Sequence, residues 1–304
     1  MNLAAYLITQ AAGMRKGKRY LEIGVNRGAT FFDVDMPLKA AVDPLFLFEP
    51  AEHAKQGTYF YPITSDVFFD EFNSRPESAE FADLDGTPVF DVIFIDGLHT
   101  YEQTLRDFEN SLRFAHDDSI WLIDDTVPSD PFSALPDLEL SMTYKNALNI
   151  KSMSWHGDVY KVVYALHDNF PDYSFCTIME QRHNPITLLW KTRRPRSPVP
   201  LYPNRELIKY ADFFSIFDNY HAFAPLNAQS ALKLVGTTID PEDHKETDGW
   251  HKLLYSSIVT ISESQSRVQN ESLVKDLMDM LNEANQKLEV AEGVIRHLSG
   301  RKPA

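Results

Sequence analysis

Val89-Phe90-Asp91-Val92-Ile93-Phe94-Ile95-Asp96-Gly97-Leu98-His99-Thr100-Tyr101-Glu102 sets the architecture expected of the chain. Its first eight residues form an apolar, β-branched and aromatic run that predicts a buried strand, halted by an acid and a glycine. A helical pattern follows over residues 101–115. A second apolar run, Ser119-Ile120-Trp121-Leu122-Ile123-Asp124, comes directly after it. Strand, helix and strand in that order imply a βαβ unit and a parallel sheet covered on both faces.

The same rhythm extends outward. Residues 19–24 and 38–43 read as strands, with a weaker one at 58–63. Downstream, residues 157–166 read as a helix. Residues 173–179 and 186–190 then form a closing antiparallel hairpin around His183 and Asn184. The expected fold is α/β: a Rossmann-like, seven-stranded, mostly parallel sheet with helices on both faces. Ligands of open α/β sheets bind beyond the carboxyl ends of the strands. Asp96, Asp124 and Asp125 all fall at such ends.

A chain of 304 residues that is 43% hydrophobic can bury a sizeable core. Residues 191–198, Lys-Thr-Arg-Arg-Pro-Arg-Ser-Pro, have the composition of a linker. The expected division is a sheet domain over 1–196, a mixed, mainly helical extension over 197–260 and a heptad-patterned helix over 261–299. In that last segment Val274, Leu277, Leu281, Ala284, Leu288, Ala291, Ile295 and Leu298 alternate spacings of three and four. Such a seam predicts a coiled coil and a homo-oligomer; an amphipathic helix folded back on its own domain is the alternative.

The net charge of −15 disfavours generic binding to nucleic acid or to anionic membranes. No apolar stretch approaches the ~20 residues of a membrane span. The lone cysteine, Cys176, cannot form an intrachain disulfide and sits in an apolar run that predicts a buried thiol; a cytoplasmic location is expected.

Glu22-Ile23-Gly24-Val25-Asn26-Arg27-Gly28 has the form E-x-G-x-x-x-G at a strand end, where glycine lets the backbone turn and approach a ligand. Asp43 ends the next strand 19 residues after Gly24. An acid there accepts from the ribose hydroxyls of a nucleoside. The closely spaced glycines of G-x-G-x-x-G are missing, so a nucleoside without pyrophosphate fits better. Three clustered carboxylates at Asp96, Asp124 and Asp125 would repel one another. A hard divalent cation such as Mg²⁺ or Mn²⁺ relieves that cost.

These residues resemble a class I S-adenosylmethionine-dependent methyltransferase. The branch is the one with D-G-x-H-x-Y-E (here Asp96 to Glu102) and a later D-D (Asp124-Asp125), similar to the macrocin-type sugar O-methyltransferases. The resemblance covers about residues 15–192. It implies that Glu22, Gly24, Asn26 and Gly28 line the methionine and ribose side of the cofactor, that Asp43 holds the ribose, and that Ser65 and Asp66 meet the adenine edge. It gives Asp96 to the cofactor pocket and, with Asp124 and Asp125, to a metal. Those enzymes tend to carry a second aspartate where this chain has Leu98, so the role of base passes to the following His99, with His156 as a second base or substrate contact. A helix entry is the plainer reading of His156, and a helix N-cap that of Asp66. The implied acceptor is a sugar hydroxyl of a glycan or glycosylated small molecule. A nicotinamide-dependent oxidoreductase shares the glycine loop and Asp43, and a non-catalytic scaffold acting through the C-terminal coil is a third reading.

Overall fold

The computed structural model describes residues 2–180 and 183–237. The heptad-patterned segment 261–299 and residues 238–260 of the extension lie outside them. The elements are α1 (Leu3–Arg15), β1 (Arg19–Ile23), β2 (Leu38–Val42), β3 (Thr58–Tyr61), α2 (Ser65–Glu71), β4 (Val92–Ile95), α3 (Tyr101–Ser111), β5 (Ile120–Ile123), α4 (Leu138–Ala147), α5 (Tyr160–Asn169), β6 (Tyr173–Ile178), β7 (Ile186–Lys191), α6 (Ser215–Asp218), β8 (Pro225–Leu226) and α7 (Ala228–Thr237).

One sheet runs in the order β3-β2-β1-β4-β5-β7-β6-β8. The pairs from β3 through β5 are parallel, and β7 is antiparallel to both β5 and β6. The sheet is therefore α/β and mixed, as the sequence predicts, but among the described residues it has eight strands rather than seven. The eighth, β8, pairs parallel with β6 through Thr177↔Pro225 and Ile178↔Leu226. Two residues carry no alternation that a sequence could reveal, and proline is tolerated there because it opens an edge strand.

Alternation sorts the strands onto two cores. Leu21, Ile23, Ile93, Ile95, Trp121 and Ile123 face one side, where α2, α3 and α5 cover them with a phenylalanine cluster around Phe72 and Phe90. Tyr20, Val92, Phe94, Ile120 and Leu122 face the other, under α1 and α7. Cys176 is buried in β6, and burial pushes its thiol up. The expected helix at 157–166 begins only at Tyr160, after a turn in which Gly157 has φ +60°. No sequence pattern announced α4. Its buried side chains are the polar Ser141 and Lys145, so it has no apolar stripe to read. Among the described residues no helix is long and apolar enough to cross a membrane.

β1 is hydrogen-bonded to β2 on one side and β4 on the other. Strand order reverses there, which opens a crevice above the carboxyl ends of these three strands.

Candidate functional site

The glycine loop closes that crevice from below. Gly24 has φ +85°, and a β-carbon on it would collide with the carbonyl oxygen of Asp96. Only glycine lets the ends of β1 and β4 come this close. Asn26 occupies the left-handed region at φ 49°, and its N–H donates to Asp43 Oδ2 at 2.8 Å; the Leu45 N–H donates to Asp43 Oδ1 at 2.8 Å. The Asp43 carboxylate is thus aimed by two backbone amides and keeps lone pairs for a ligand. Gly28 has φ +77° and packs against the Phe32 ring.

A cavity of about 630 Å³ lies above these strand ends, within the size range of small-molecule sites. Of the residues singled out in the sequence, Glu22, Gly24, Asn26 and Asp43 line one part of it. Ser65, Asp66, Asp96, His99, Asp124 and Asp125 line the rest, whereas Gly28 and His156 do not reach its wall. Sequence reasoning missed Gln103, Asp107, Trp155 and Asn184, which also line it. Gln103 follows the strand-end motif directly and Asp107 stands about one helical turn further along α3, a spacing that could have placed both over the same strand end. Trp155 and Asn184 lie on loops and give no such signal.

Glu22 is buried, and burial pushes its carboxyl up to about 8, although the Tyr20 hydroxyl donating to its Oε2 at 2.6 Å acts against this. It therefore retains its proton near neutrality, when a carboxylate would be costly to desolvate. Beneath the loop, buried Lys39 donates to the carbonyls of Phe31 at 2.6 Å and Val34 at 2.9 Å, fixing the turn after Gly28.

The acidic strand ends meet around His99. Its Nε2 lies 3.2 Å from Asp96 Oδ1 and its Nδ1 3.0 Å from Asp125 Oδ2. Burial disfavours the charged ring, but the hydrogen bond it donates to Asp96 and the charges of Asp125 and Asp96 outweigh it and raise His99 to about 9. The ring is then an imidazolium that donates from both nitrogens. Burial, with the charge of Asp96 adding to it, pushes Asp125 up to about 7 against the pull of His99, and Asp124 rises as well through burial and the charges of Asp96 and Asp125. Among the described residues, Asp96, His99 and Asp125 bring ligand atoms within 4.8 Å of one another. Asp124 stands beside them, its Oδ1 accepting from the Asp125 N–H at 2.9 Å. Two carboxylates and an imidazole suit a divalent ion once the ring loses its proton, so proton and metal compete for one place.

His156 is buried behind this cluster, with Nε2 3.7 Å from Asp125 Oδ1; burial lowers it to about 4 and leaves it neutral. Asn184 donates to the same oxygen at 2.7 Å. Above His99, the Trp155 ring stacks at 5.1 Å and 24°, and its indole N–H donates to the Leu135 carbonyl at 2.7 Å. On the far side Ser65, at the start of α2, donates to Asp107 Oδ1 at 2.6 Å. Asp66 follows in the first turn, and the helix is capped by Thr64, not Asp66. His99 and Asp125 also have positive φ, at 57° and 58°. With Asn26 this gathers three non-glycine left-handed residues around one cavity, as at sites where function sets the backbone.

Residues 21–126 match a family described as "Methyltransferase domain". Solved structures to which the chain is similar include an O-methyltransferase from Bacillus cereus in complex with SAH. It is 13% identical, with 62% of this chain and 80% of that one covered and a TM-score of 0.39. Another is the O-methyltransferase TomG from Streptomyces achromogenes, involved in tomaymycin synthesis and solved with SAM. It is 14% identical, with 63% and 91% covered and a TM-score of 0.34. No curated protein matches the chain in sequence.

Proposed function

We propose that the chain transfers a methyl group from S-adenosylmethionine to an oxygen acceptor, a sugar hydroxyl of a glycan or glycosylated small molecule. The observation that carries this reading is the convergence on one cavity of Gly24, held against Asp96, and Asp43, aimed by the Asn26 and Leu45 amides. The match of residues 21–126 supports it independently. In this reading Glu22, Gly24, Asn26 and Asp43 hold the methionine and ribose portions, with Gly28 shaping the loop. Ser65 and Asp66 border the base. The bound sulfonium supplies an electrophilic methyl group to an oxygen held in line with it.

The carboxylates of Asp96, Asp124 and Asp125 accept from acceptor hydroxyls, and Trp155 offers an apolar edge beside them; that combination suits a polyol. His99 takes the acceptor's proton once its own bridging proton has left. His156, neutral and buried, orients Asp125. A divalent ion such as Mg²⁺ or Mn²⁺ would be held by Asp96, His99 and Asp125, with Asp124 adjacent, and would lower the pKa of a bound hydroxyl. Loss of turnover in EDTA with rescue by either ion is the expected result; full turnover in chelator removes the metal from the reading.

Isothermal titration with S-adenosylhomocysteine and with NAD tests the donor. Binding of the first and not the second is expected; the reverse would replace this reading with a nicotinamide oxidoreductase. A single-turnover assay with labelled donor against glycan extracts separates an enzyme from a scaffold. We extend the proposal to a cytoplasmic homo-oligomer joined through residues 261–299. Truncation at Ile261 should lower the mass seen in light scattering, and an unchanged mass would rule out that seam.

A further inference from the structure

Helix α3 opens just after His99, and its first amide is satisfied from a distant part of the chain. Thr100 stands at the N-cap, but among the described residues its side chain accepts no bond from the helix. The Tyr101 N–H donates instead to Asp158 Oδ1 at 2.7 Å, across 57 residues of sequence. A carboxylate there also meets the positive end of the helix dipole. Asp158 precedes α5, yet its carboxylate serves α3.

The other oxygen leads further. Asp158 Oδ2 accepts from Lys161 Nζ at 3.0 Å, and the same ammonium donates to the Lys209 carbonyl at 2.7 Å. Asp158 and Lys161 are each 8% exposed. Lys209 belongs to a 3₁₀ turn, Arg205–Tyr210, within the expected C-terminal extension. That turn is fastened to the core. Ile208 is fully buried, the Tyr160 hydroxyl donates to the Ala211 carbonyl at 2.8 Å, and Arg205 Nη2 donates to Glu109 Oε1 on α3 at 2.5 Å. A chain of hydrogen bonds thus runs from the extension, through Lys161 and Asp158, to the amide of Tyr101.

His99 needs such a hold. Its φ of 57° is left-handed, which a residue with a β-carbon keeps only where neighbouring structure over-determines it. Ahead of His99 the chain is fixed by the Asp96 N–H, which donates to the Ile23 carbonyl at 2.8 Å. Behind it, the Tyr101 amide on Asp158 supplies the matching restraint. We propose that Asp158 is a positioning residue for His99, and that Lys161 ties residues 205–210 into the same device. This rests on the role given to His99 above. Neither Asp158 nor Lys161 lines the cavity, so both act through the turn that carries His99.

Nuclear magnetic resonance of the histidine-labelled full chain tests this at pH 7 in metal-free buffer, with His99→Gln to assign the signals. The His99 ring stacks on Trp155 at 5.1 Å, so the indole displaces its carbon-bound proton resonances. Asp158→Ala should abolish most of that displacement. Asp158→Asn keeps an oxygen opposite the Tyr101 amide and should preserve most of it. Lys161→Met, which leaves Asp158 without its cation, should move the signals in the same direction as Asp158→Ala. Asp91→Ala, a destabilising change at the opposite end of the sheet, should leave them in place. Unmoved signals in Asp158→Ala or in Lys161→Met would overturn the proposal, as would an equal shift in Asp91→Ala. If Asp158→Ala does not fold, Lys161→Met decides. No donor is present in these samples, so the result stands apart from titration with S-adenosylhomocysteine, whose failure would remove the donor reading alone.

Discussion

A β-carbon on Gly157 would run into the backbone carbonyl oxygen of His99. The loop carrying Trp155 and His156 therefore seats directly on the turn that follows β4, and both partners of the contact have left-handed backbone, at φ +60° and 57°. Gly157→Ala adds the left-handed penalty of about 1–2 kcal/mol to a clash with main chain that cannot rotate away. The variant should lose at least about 3 kcal/mol in urea unfolding and bind S-adenosylhomocysteine weakly. A loss under 1 kcal/mol would mean that the loop yields and does not template His99.

Lys145 anchors the same loop from α4. It is fully buried, donates to Ser133 Oγ at 2.6 Å and to the Ser154 carbonyl, and lies 3.4 Å from Asp130 Oδ2. Lys145→Met keeps the stem but strands the Asp130 carboxylate without its cation, a change worth about 3–5 kcal/mol when a buried pair is broken. Trp155 stands next to Ser154, so its fluorescence should shift as the indole loosens from the Leu135 carbonyl. Unaltered emission and stability would show that the loop holds without this lysine.

Much of this was legible in the sequence where side chains obey a period. The runs that became β1, β4 and β5 alternate between two cores, and the acids that end them are fixed in place by the strands before them. The glycine loop was legible because the interval from Gly24 to Asp43 holds one connecting loop and one strand. What escaped was held by polar contacts without period. α4 buries a lysine and a serine, β8 is two residues long, and Trp155 and Asn184 enter the cavity on loops. His99 was visible as a titratable residue beside Asp96. That its second nitrogen meets Asp125 depends on left-handed backbone at both residues, φ 57° and 58°, which no local pattern encodes.

At the opposite end of the sheet, Asp91 is held by Arg19 in a bidentate pair, with Nη2 2.7 Å from Oδ1 and Nε 3.1 Å from Oδ2. The amides of Lys18 and Arg19 donate to it at 2.8 Å each, and His116 Nε2 lies 2.8 Å away. Burial opposes the charge, but the hydrogen bonds from His116, Arg19 and those amides outweigh it and hold the carboxyl well below the usual range. A depressed acid stabilises the fold above its unfolded pKa of ~3.9, and that contribution is lost as pH falls below it. Asp91→Ala should cost about 3–5 kcal/mol at pH 7 and progressively less below pH 4. Affinity for S-adenosylhomocysteine should not change, since the clamp lies away from the cavity. A pH-independent cost would assign the effect to packing alone.

His99 carries the opposite sign. Its folded pKa of about 9 exceeds an unfolded value near 6.5, so its contribution is complete below about pH 6.5 and disappears as pH rises through 9. The groups facing it are Asp96 at the end of β4, Asp124 and Asp125 after β5, and the neutral His156. The raised acids share its sign, because the native cluster binds more protons than the unfolded chain does. His99→Gln should therefore destabilise by on the order of 2 kcal/mol at pH 6, with the difference shrinking toward pH 9. The imidazole resonances of the wild type should titrate near 9 in metal-free buffer. If a divalent ion enters between Asp96 and Asp125, adding Mg²⁺ or Mn²⁺ should move that midpoint down, because the bridging proton must leave first. In the absence of the ion, methyl transfer should rise with pH up to the same midpoint. An imidazole already neutral at pH 7 without metal would contradict the bridged arrangement and restore His99 as a base free at physiological pH.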